Sequence, residues 1–416
     1  MDRFAGTTAA ESVDRAIRHG RRLFGPRWSP GRAAIAPGRI ELLGNHLDYN
    51  GGPVLAAAID RFIAVVAAAE SGASAAVAVA TADAPDEPAT PLDAAAFRGW
   101  RNPSPPPGAL DYVRGVLAAL DARPSLTPRL PASVAVAGDV PIGFGLSSSA
   151  ALCVGLGLAL ADGLHDAAEL VLLAQDAEHR AGTPCGTMDQ SASVAGGVIA
   201  FDAATLGVEH LTPGLGDLVF VVADSGVDRA LSTSSYPRRV AESRQALDIA
   251  RIAIDPELPH LAALAPDQLD ELIDFSLLPE PLAIRVRHVV EETGRVEAGR
   301  LAMLAGDWPE FGRLMTASGR SSATLYEISH PRVEALVAEA LSVDGVLGAR
   351  MMGGGEGGTA LILLPRERVF QLEWTLREGY YREFGMADRA GLLHSCAFAP
   401  GATVVPLGGS SDVSGE

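Results

Sequence analysis

A chain of 416 residues with a net charge of −18 holds enough apolar material for two domains and repels phosphate backbones and anionic lipid, so neither nucleic acid nor a membrane surface is expected as a partner. Its 33 basic residues are all arginine. Without lysine there is no Walker A P-loop, no protein-kinase strand lysine and no Schiff-base mechanism, because each needs that amine. No stretch has the apolar length of a membrane-spanning helix, and Met1 to Arg22 alternates charge where a signal peptide would be apolar, so a cytoplasmic location is expected. Cys153, Cys185 and Cys396 are far apart; they suggest neither a disulfide framework nor a metal site and read as small buried hydrophobes.

In chain order, 11–24 reads as an amphipathic helix, and 33–36 as a strand running into a Gly-rich turn. Segments 59–68 and 75–81 read as strands, 84–108 as a Pro-rich loop and 109–120 as a helix. Strand 133–137 feeds a Gly turn at 143–145 and a long Ala/Leu helix at 148–162, with a further helix at 166–180. Strands are expected at 197–201 and 218–223, then helices at 237–253, 266–274, 279–305, 308–317 and 331–342. A Gly cluster at 353–358, a strand at 360–364, a helix at 367–384 and a strand at 394–398 close the chain. The expected division is a first domain over 1–215, a second over 216–406, and a disordered Gly/Ser/Asp-rich tail over 407–416.

Three segments carry chemistry. In Pro37-Gly38-Arg39-Ile40-Glu41-Leu42-Leu43-Gly44-Asn45-His46-Leu47-Asp48-Tyr49-Asn50-Gly51-Gly52, polar side chains crowd between glycines directly after a strand. They can form a polyol pocket or only a self-capping turn. Pro141-Ile142-Gly143-Phe144-Gly145-Leu146-Ser147-Ser148-Ser149 is a strand end, a Gly turn and a helix opening with hydroxyls. The free N–H groups and positive dipole end there suit a phosphate; a simple N-cap would need one serine, not three. Gly353-Gly354-Gly355-Glu356-Gly357-Gly358 is either a flexible linker or a loop with special backbone angles, and the strand expected next favours the loop.

Together these segments resemble the signature motifs of the GHMP small-molecule kinases, and the first resembles that of the galactokinase type. Glu178-His179-Arg180-Ala181-Gly182-Thr183-Pro184-Cys185-Gly186-Thr187-Met188-Asp189-Gln190 is similar to the family's catalytic-aspartate segment, and Ser234-Ser235-Tyr236-Pro237 to its substrate tyrosine. The likeness extends from about residue 15 to 402. It implies an α+β GHMP kinase fold: a ribosomal-S5-like N-terminal domain, a ferredoxin-like C-terminal domain, and the active site between them. It implies ATP-dependent phosphorylation of the anomeric hydroxyl of galactose or a related sugar. Asp189 would be the catalytic carboxylate and Arg39 would stabilise the transferring phosphoryl. Asn45, His46, Asp48, Gly186 and Tyr236 would bind the sugar. Gly143, Gly145, Leu146, Ser147 and Ser148, with Gly354 and Gly355, would bind ATP, and Ser149 with Glu178 would hold Mg2+. A monomer or weak homodimer is expected.

The sequence departs from the family pattern at Asn45, where galactokinases carry a Glu that contacts the sugar's C6 hydroxyl, and at Met352 and Glu356 in the third motif. The catalytic-aspartate segment is one residue shorter, which makes Asp176 the alternative metal ligand. The amide at 45 opens an alternative substrate class: a uronate, a 6-deoxyhexose or a pentose such as arabinose. A non-catalytic sugar sensor should have lost its phosphate loop or its acid, and this chain keeps both.

Overall fold

Strand alternation organises the first half of the protein. The computed structural model describes residues 8–70, 77–82, 88–104, 106–130, 132–164, 166–227 and 235–407. Helix α1 (Thr8–Phe24) is followed by β1 (Arg32–Leu43), β2 (Pro53–Ala69), β3 (Val77–Thr81) and β4 (Thr90–Leu92). Next come α2 (Ala94–Phe97), α3 (Ala109–Asp121), β5 (Thr127–Pro128), β6 (Ala132–Gly138), α4 (Ser148–Leu160), β7 (Ala161–Asp162), α5 (Ala167–Ala181) and α6 (Met188–Ala195). Three strands follow: β8 (Val198–Asp202), β9 (Gly207–Leu211) and β10 (Leu218–Asp224). A helical stretch comprises α7 (Tyr236–Ala253), α8 (Pro266–Asp274), α9 (Glu280–Ala305), α10 (Trp308–Thr324) and α11 (Pro331–Leu341). The chain closes with β11 (Gly348–Met352), β12 (Thr359–Pro365), α12 (Val369–Leu376), β13 (Leu393–Cys396) and β14 (Thr403–Pro406).

Two larger sheets result. The first runs β14-β1-β2-β6-β3-β4, with β8 added beside β2 and β9 beside β8; the second runs β11-β12-β10-β13. β2 is long enough to pair with β8 through Pro53–Ala57 and with β6 through Ile63–Ala69. Period-two alternation sorts its neighbours: Ala34, Ala36 and Val65 face the core with α4, while Ala33, Ile35, Ala64 and Val66 face α1 and Trp28. Helix α4 is apolar on every side and accordingly buried from Ala150 to Gly157. The chain leaves the first sheet after β9, enters the second with β10, and returns through β14, which pairs with β1. Thus the segment 216–406 contributes one strand to the sheet of residues 1–215. Among the described residues no helix is long and apolar enough to cross a membrane.

Several local expectations differ from the structure. β1 does not stop at a glycine turn; it runs on to Leu43 by absorbing two bulges, at Pro37/Arg39 and Glu41/Leu43. Residues 84–108 were read as loop, yet β4 and α2 lie within them. β9 escaped notice because four of its five residues are exposed, which leaves no apolar alternation to read. β11 carries a buried Arg350 in an otherwise apolar run, and the glycines beyond it masked the strand. The expected tail, apart from Leu407, lies outside the described residues, as does Ser234.

Candidate active site

The two bulges in β1 re-aim Arg39 and Glu41 toward a cavity of about 670 Å³. Its walls include Arg39, Glu41, His46 and Asp48 from the first motif, Gly143, Gly145, Leu146, Ser147, Ser148 and Ser149 from the second, and Gly353 and Gly354 from the third. Glu178, Gly186, Asp189 and Tyr236 line it as well. Segments separated by more than three hundred positions thus meet at one place, at the C-terminal half of β1 and the N-terminus of α4.

Asp189 stands in the first turn of α6. Arg39, only 4% exposed, donates from Nε to Asp189 Oδ1 at 2.8 Å and from Nη2 to the same oxygen at 2.6 Å. Its Nη1 donates to the carbonyl of Gly145 at 2.5 Å. Ser147 donates its hydroxyl to Asp189 Oδ2. To do so Ser147 adopts φ 57°, a left-handed conformation unusual for a non-glycine residue and characteristic of functional turns. The turn is braced against the second sheet, since Thr359 donates from Oγ1 to the carbonyl of Phe144 at 2.8 Å.

Asp48 lies opposite. Burial, then the neighbouring Asp189 carboxylate, push its pKa up to about 7. Gly186 has no side chain because Asp48 occupies its place: a Cβ there would meet Asp48 Oδ2 at 1.7 Å. His46 packs its ring on Tyr236 and Tyr326, each at 5.2 Å between centroids. Its Nδ1 shares a hydrogen bond with the Tyr49 hydroxyl at 2.8 Å, which in turn meets the Tyr326 hydroxyl at 2.9 Å. Tyr326, fully buried just after α10, is not in the cavity wall but backs His46 and Tyr49, a support that no local motif marks.

At the N-terminus of α4, Ser149 and the buried Glu178 stand side by side in the cavity wall. Burial pushes Glu178 up to about 7, against the Ser149 and Gln190 hydrogen bonds that favour its charge. A hydroxyl and a carboxylate are hard oxygen donors of the kind Mg2+ takes, with water and phosphate completing its shell. Asp176 does not offer an alternative. It is not part of the cavity wall, and its two oxygens face Arg123 at 2.8 Å and Arg180 at 3.0 Å. Burial opposes its charge, yet these two guanidinium groups hold its carboxyl below the usual range.

Two expected site residues do not reach the cavity. Asn45 is 0% exposed and lies behind the wall. Its Nδ2 donates to Glu41 Oε1 and to the carbonyl of Gly353, both at 3.1 Å, and its Oδ1 accepts from Ser322 Oγ at 3.0 Å. Its backbone is equally engaged, with His288 Nε2 3.1 Å from its carbonyl and Glu292 Oε1 3.3 Å from its N–H. Gly355 packs on the backbone of Ile328 instead, where a Cβ would come within 2.4 Å of the carbonyl oxygen. The third motif is therefore a defined loop, not a linker. Its Glu356 turns from the cavity wall and accepts from the N–H of Ser235 at 3.0 Å, directly before Tyr236. Its charge therefore does not face the Gly143–Ser149 turn. Met352 is buried and ends β11 opposite Thr359.

A carboxylate clamped by a guanidinium, facing a glycine turn with free helix N–H groups, is equipped for phosphoryl transfer to a hydroxyl. Family models agree with this class. The GHMP kinases N terminal domain matches residues 111–197 and the GHMP kinases C terminal domain residues 300–381. The galactokinase galactose-binding signature matches residues 21–69. The chain is 37% identical over 377 residues to a galactokinase of Roseiflexus, covering 88% of this chain and 91% of that protein. It is 36% identical over 367 residues to human galactokinase, covering 85% and 88%. The crystal structure of Lactococcus lactis galactokinase complexed with galactose superposes with a TM-score of 0.83 at 28% identity, over 93% of this chain and 98% of that one. The chain belongs to the galactokinase family.

Proposed function

We propose that this protein transfers the γ-phosphoryl group of ATP to the anomeric hydroxyl of galactose. The observation that carries the reading is the Arg39–Asp189 pair, set between the sugar signature and the glycine turn of α4. His46, Asp48 and Tyr236 bind and orient the sugar, with Gly186 leaving room for Asp48. Asp189 takes the proton of the reacting hydroxyl through Oδ2, the oxygen that Ser147 otherwise holds. The hydroxyl oxygen then bonds to the γ-phosphorus as the bond to ADP breaks. Arg39 steadies the charge on the transferring group; a guanidinium keeps its proton throughout, which suits a lysine-free chain. The backbone N–H groups and hydroxyls from Gly143 to Ser148, with Gly354, hold the phosphates. Ser149 and Glu178 would hold Mg2+, which supplies charge neutralisation to the phosphates when bound.

A uronate, deoxyhexose or pentose as the natural substrate is not favoured. That reading rested on an amide facing the sugar at position 45, and Asn45 lies behind the wall. Similar relatives are named galactokinases. An ADP-release assay over hexoses, uronates, deoxyhexoses and pentoses tests the proposal: galactose should give the highest kcat/KM, and a panel without turnover would overturn it.

A further inference from the structure

Arg350 is the largest puzzle outside the reaction centre: an arginine with 0% exposure in a strand of the second sheet. Its Nη2 donates to Glu41 Oε1 at 2.5 Å, its Nη1 to the carbonyl of Leu42 at 3.2 Å and its Nε to the carbonyl of Met351 at 3.0 Å. Glu41 follows Arg39 by two residues on β1, so both side chains leave the same face of the strand. It is 4% exposed and lines the cavity. Bringing a buried ion pair to the wall of a sugar site is costly in desolvation, and hydrophobic residues could close the core as well. The pair therefore calls for a use.

We infer that Glu41, and not position 45, supplies the carboxylate that reads a second hydroxyl of the sugar, remote in role from the one that Asp189 activates. The inference deepens the proposed function and rests on it. Oε1 of Glu41 takes both close donors, Arg350 Nη2 at 2.5 Å and Asn45 Nδ2 at 3.1 Å. Oε2 takes only the long contact from Asn45 at 3.4 Å. A carboxylate has about four lone-pair sites, so Oε2 of this cavity-lining residue keeps capacity for a hydroxyl donor. Arg350 neutralises the charge from behind, and Asn45 fixes the rotation of the carboxyl by bridging it to the carbonyl of Gly353.

The same arrangement explains the amide at 45. A carboxylate there would stand within contact distance of Glu41 and would also face the Gly353 carbonyl, with no donor of its own to offer either. An amide supplies an N–H donor to both of these acceptors and still accepts from Ser322. Asn45 is thus a positioning residue, and Glu41 with Arg350 carries the recognition. On this account Asn45→Glu alone damages the enzyme and does not sharpen its preference for galactose.

The test is kcat/KM for galactose and its 2-, 3-, 4- and 6-deoxy analogues in wild type, Glu41→Gln, Glu41→Asp and the reciprocal double variant Glu41→Asn/Asn45→Glu, with the KM for ATP and the Tm of each. Glu41→Gln should lower kcat/KM for galactose by about 10- to 100-fold, the scale of one hydrogen bond to a charged group. One deoxy analogue should be nearly unaffected by the same change, and the KM for ATP should not move. The double variant keeps one carboxylate and one amide in the corner and should recover part of the discrimination. If Glu41→Gln or, should that variant fail to fold, Glu41→Asp lowers every sugar by the same factor or leaves galactose unchanged, the inference is overturned. Should neither single variant fold, a folded double variant that discriminates against no deoxy analogue overturns it. Wild type that turns over no sugar would instead sink the function itself.

Discussion

Arg39 reaches Asp189 with two nitrogens on one oxygen, Nε at 2.8 Å and Nη2 at 2.6 Å from Oδ1. Oδ2 is left to the Ser147 hydroxyl. The clamp fixes the carboxylate plane and leaves Oδ2 for the proton transfer proposed for it. Asp189→Asn keeps the shape but removes the proton acceptor, and kcat should fall roughly 10²–10⁴-fold. Sugar binding measured by calorimetry should survive. A variant that keeps more than about half of the wild-type rate would remove Asp189 from the proton transfer.

Gly186 and Asp48 make a second relation with a sharp consequence. A methyl group at 186 would lie 1.7 Å from Asp48 Oδ2, so Gly186→Ala must displace that carboxylate. The KM for galactose should rise by about tenfold or more, the worth of a displaced hydrogen bond to a charged group. The melting temperature distinguishes this local shift from a general loss of fold. An unchanged KM in a folded variant would mean that Asp48 does not touch the sugar.

Asp48 also sets a pH dependence. Burial and Asp189 raise its pKa from 3.8 to about 7, so the folded chain retains a proton that the unfolded chain releases. Its contribution to stability therefore declines as pH rises from about 4 to about 7. Asp48→Asn should gain Tm relative to wild type across that window. Sugar binding runs the other way, because a hydroxyl donor needs the ionised form. From pH 7 to pH 6 the Kd for galactose should weaken about fivefold in wild type, from simple titration of one group. In Asp48→Asn this dependence should vanish. A wild-type Kd that is flat over this range would refute the assignment.

Ser149 and Glu178 meet at the opening turn of α4, and both are oxygen donors in the cavity wall. Turnover should require a divalent cation, and Ser149→Ala should raise the Mg2+ concentration for half-maximal rate without changing the KM for galactose. Full activity in excess EDTA would contradict this.

Glycine-rich turns and hydroxyl runs are local, and they were legible as motifs: the Gly143–Ser149 turn, Asp189 and Tyr236 all line one cavity. What was not legible came from pairing at long range. Asn45 looks like a sugar ligand because it stands in the polar run of the first motif, yet Gly353, Ser322 and Glu292 from the second half of the chain draw it behind the wall. Glu41 carries no role that its local sequence marks; only Arg350, on the unanticipated β11, standing against it singles it out. Glu356 departs from the family pattern, and the Ser235 N–H it accepts from accounts for it. In each case the deciding partner lies more than a hundred residues away, and no local spacing records it. β1 was read too short for a similar reason, since its bulges are set by the register against β2.

The most direct measurement is the 31P NMR spectrum of the product formed from galactose and ATP. The account predicts a phosphomonoester whose phosphorus couples to the single anomeric proton, formed in step with ADP. A phosphorus coupled to the C6 methylene protons would place the reacting hydroxyl elsewhere and contradict the orientation given to the sugar. ATP consumption with only inorganic phosphate as product would contradict the account altogether.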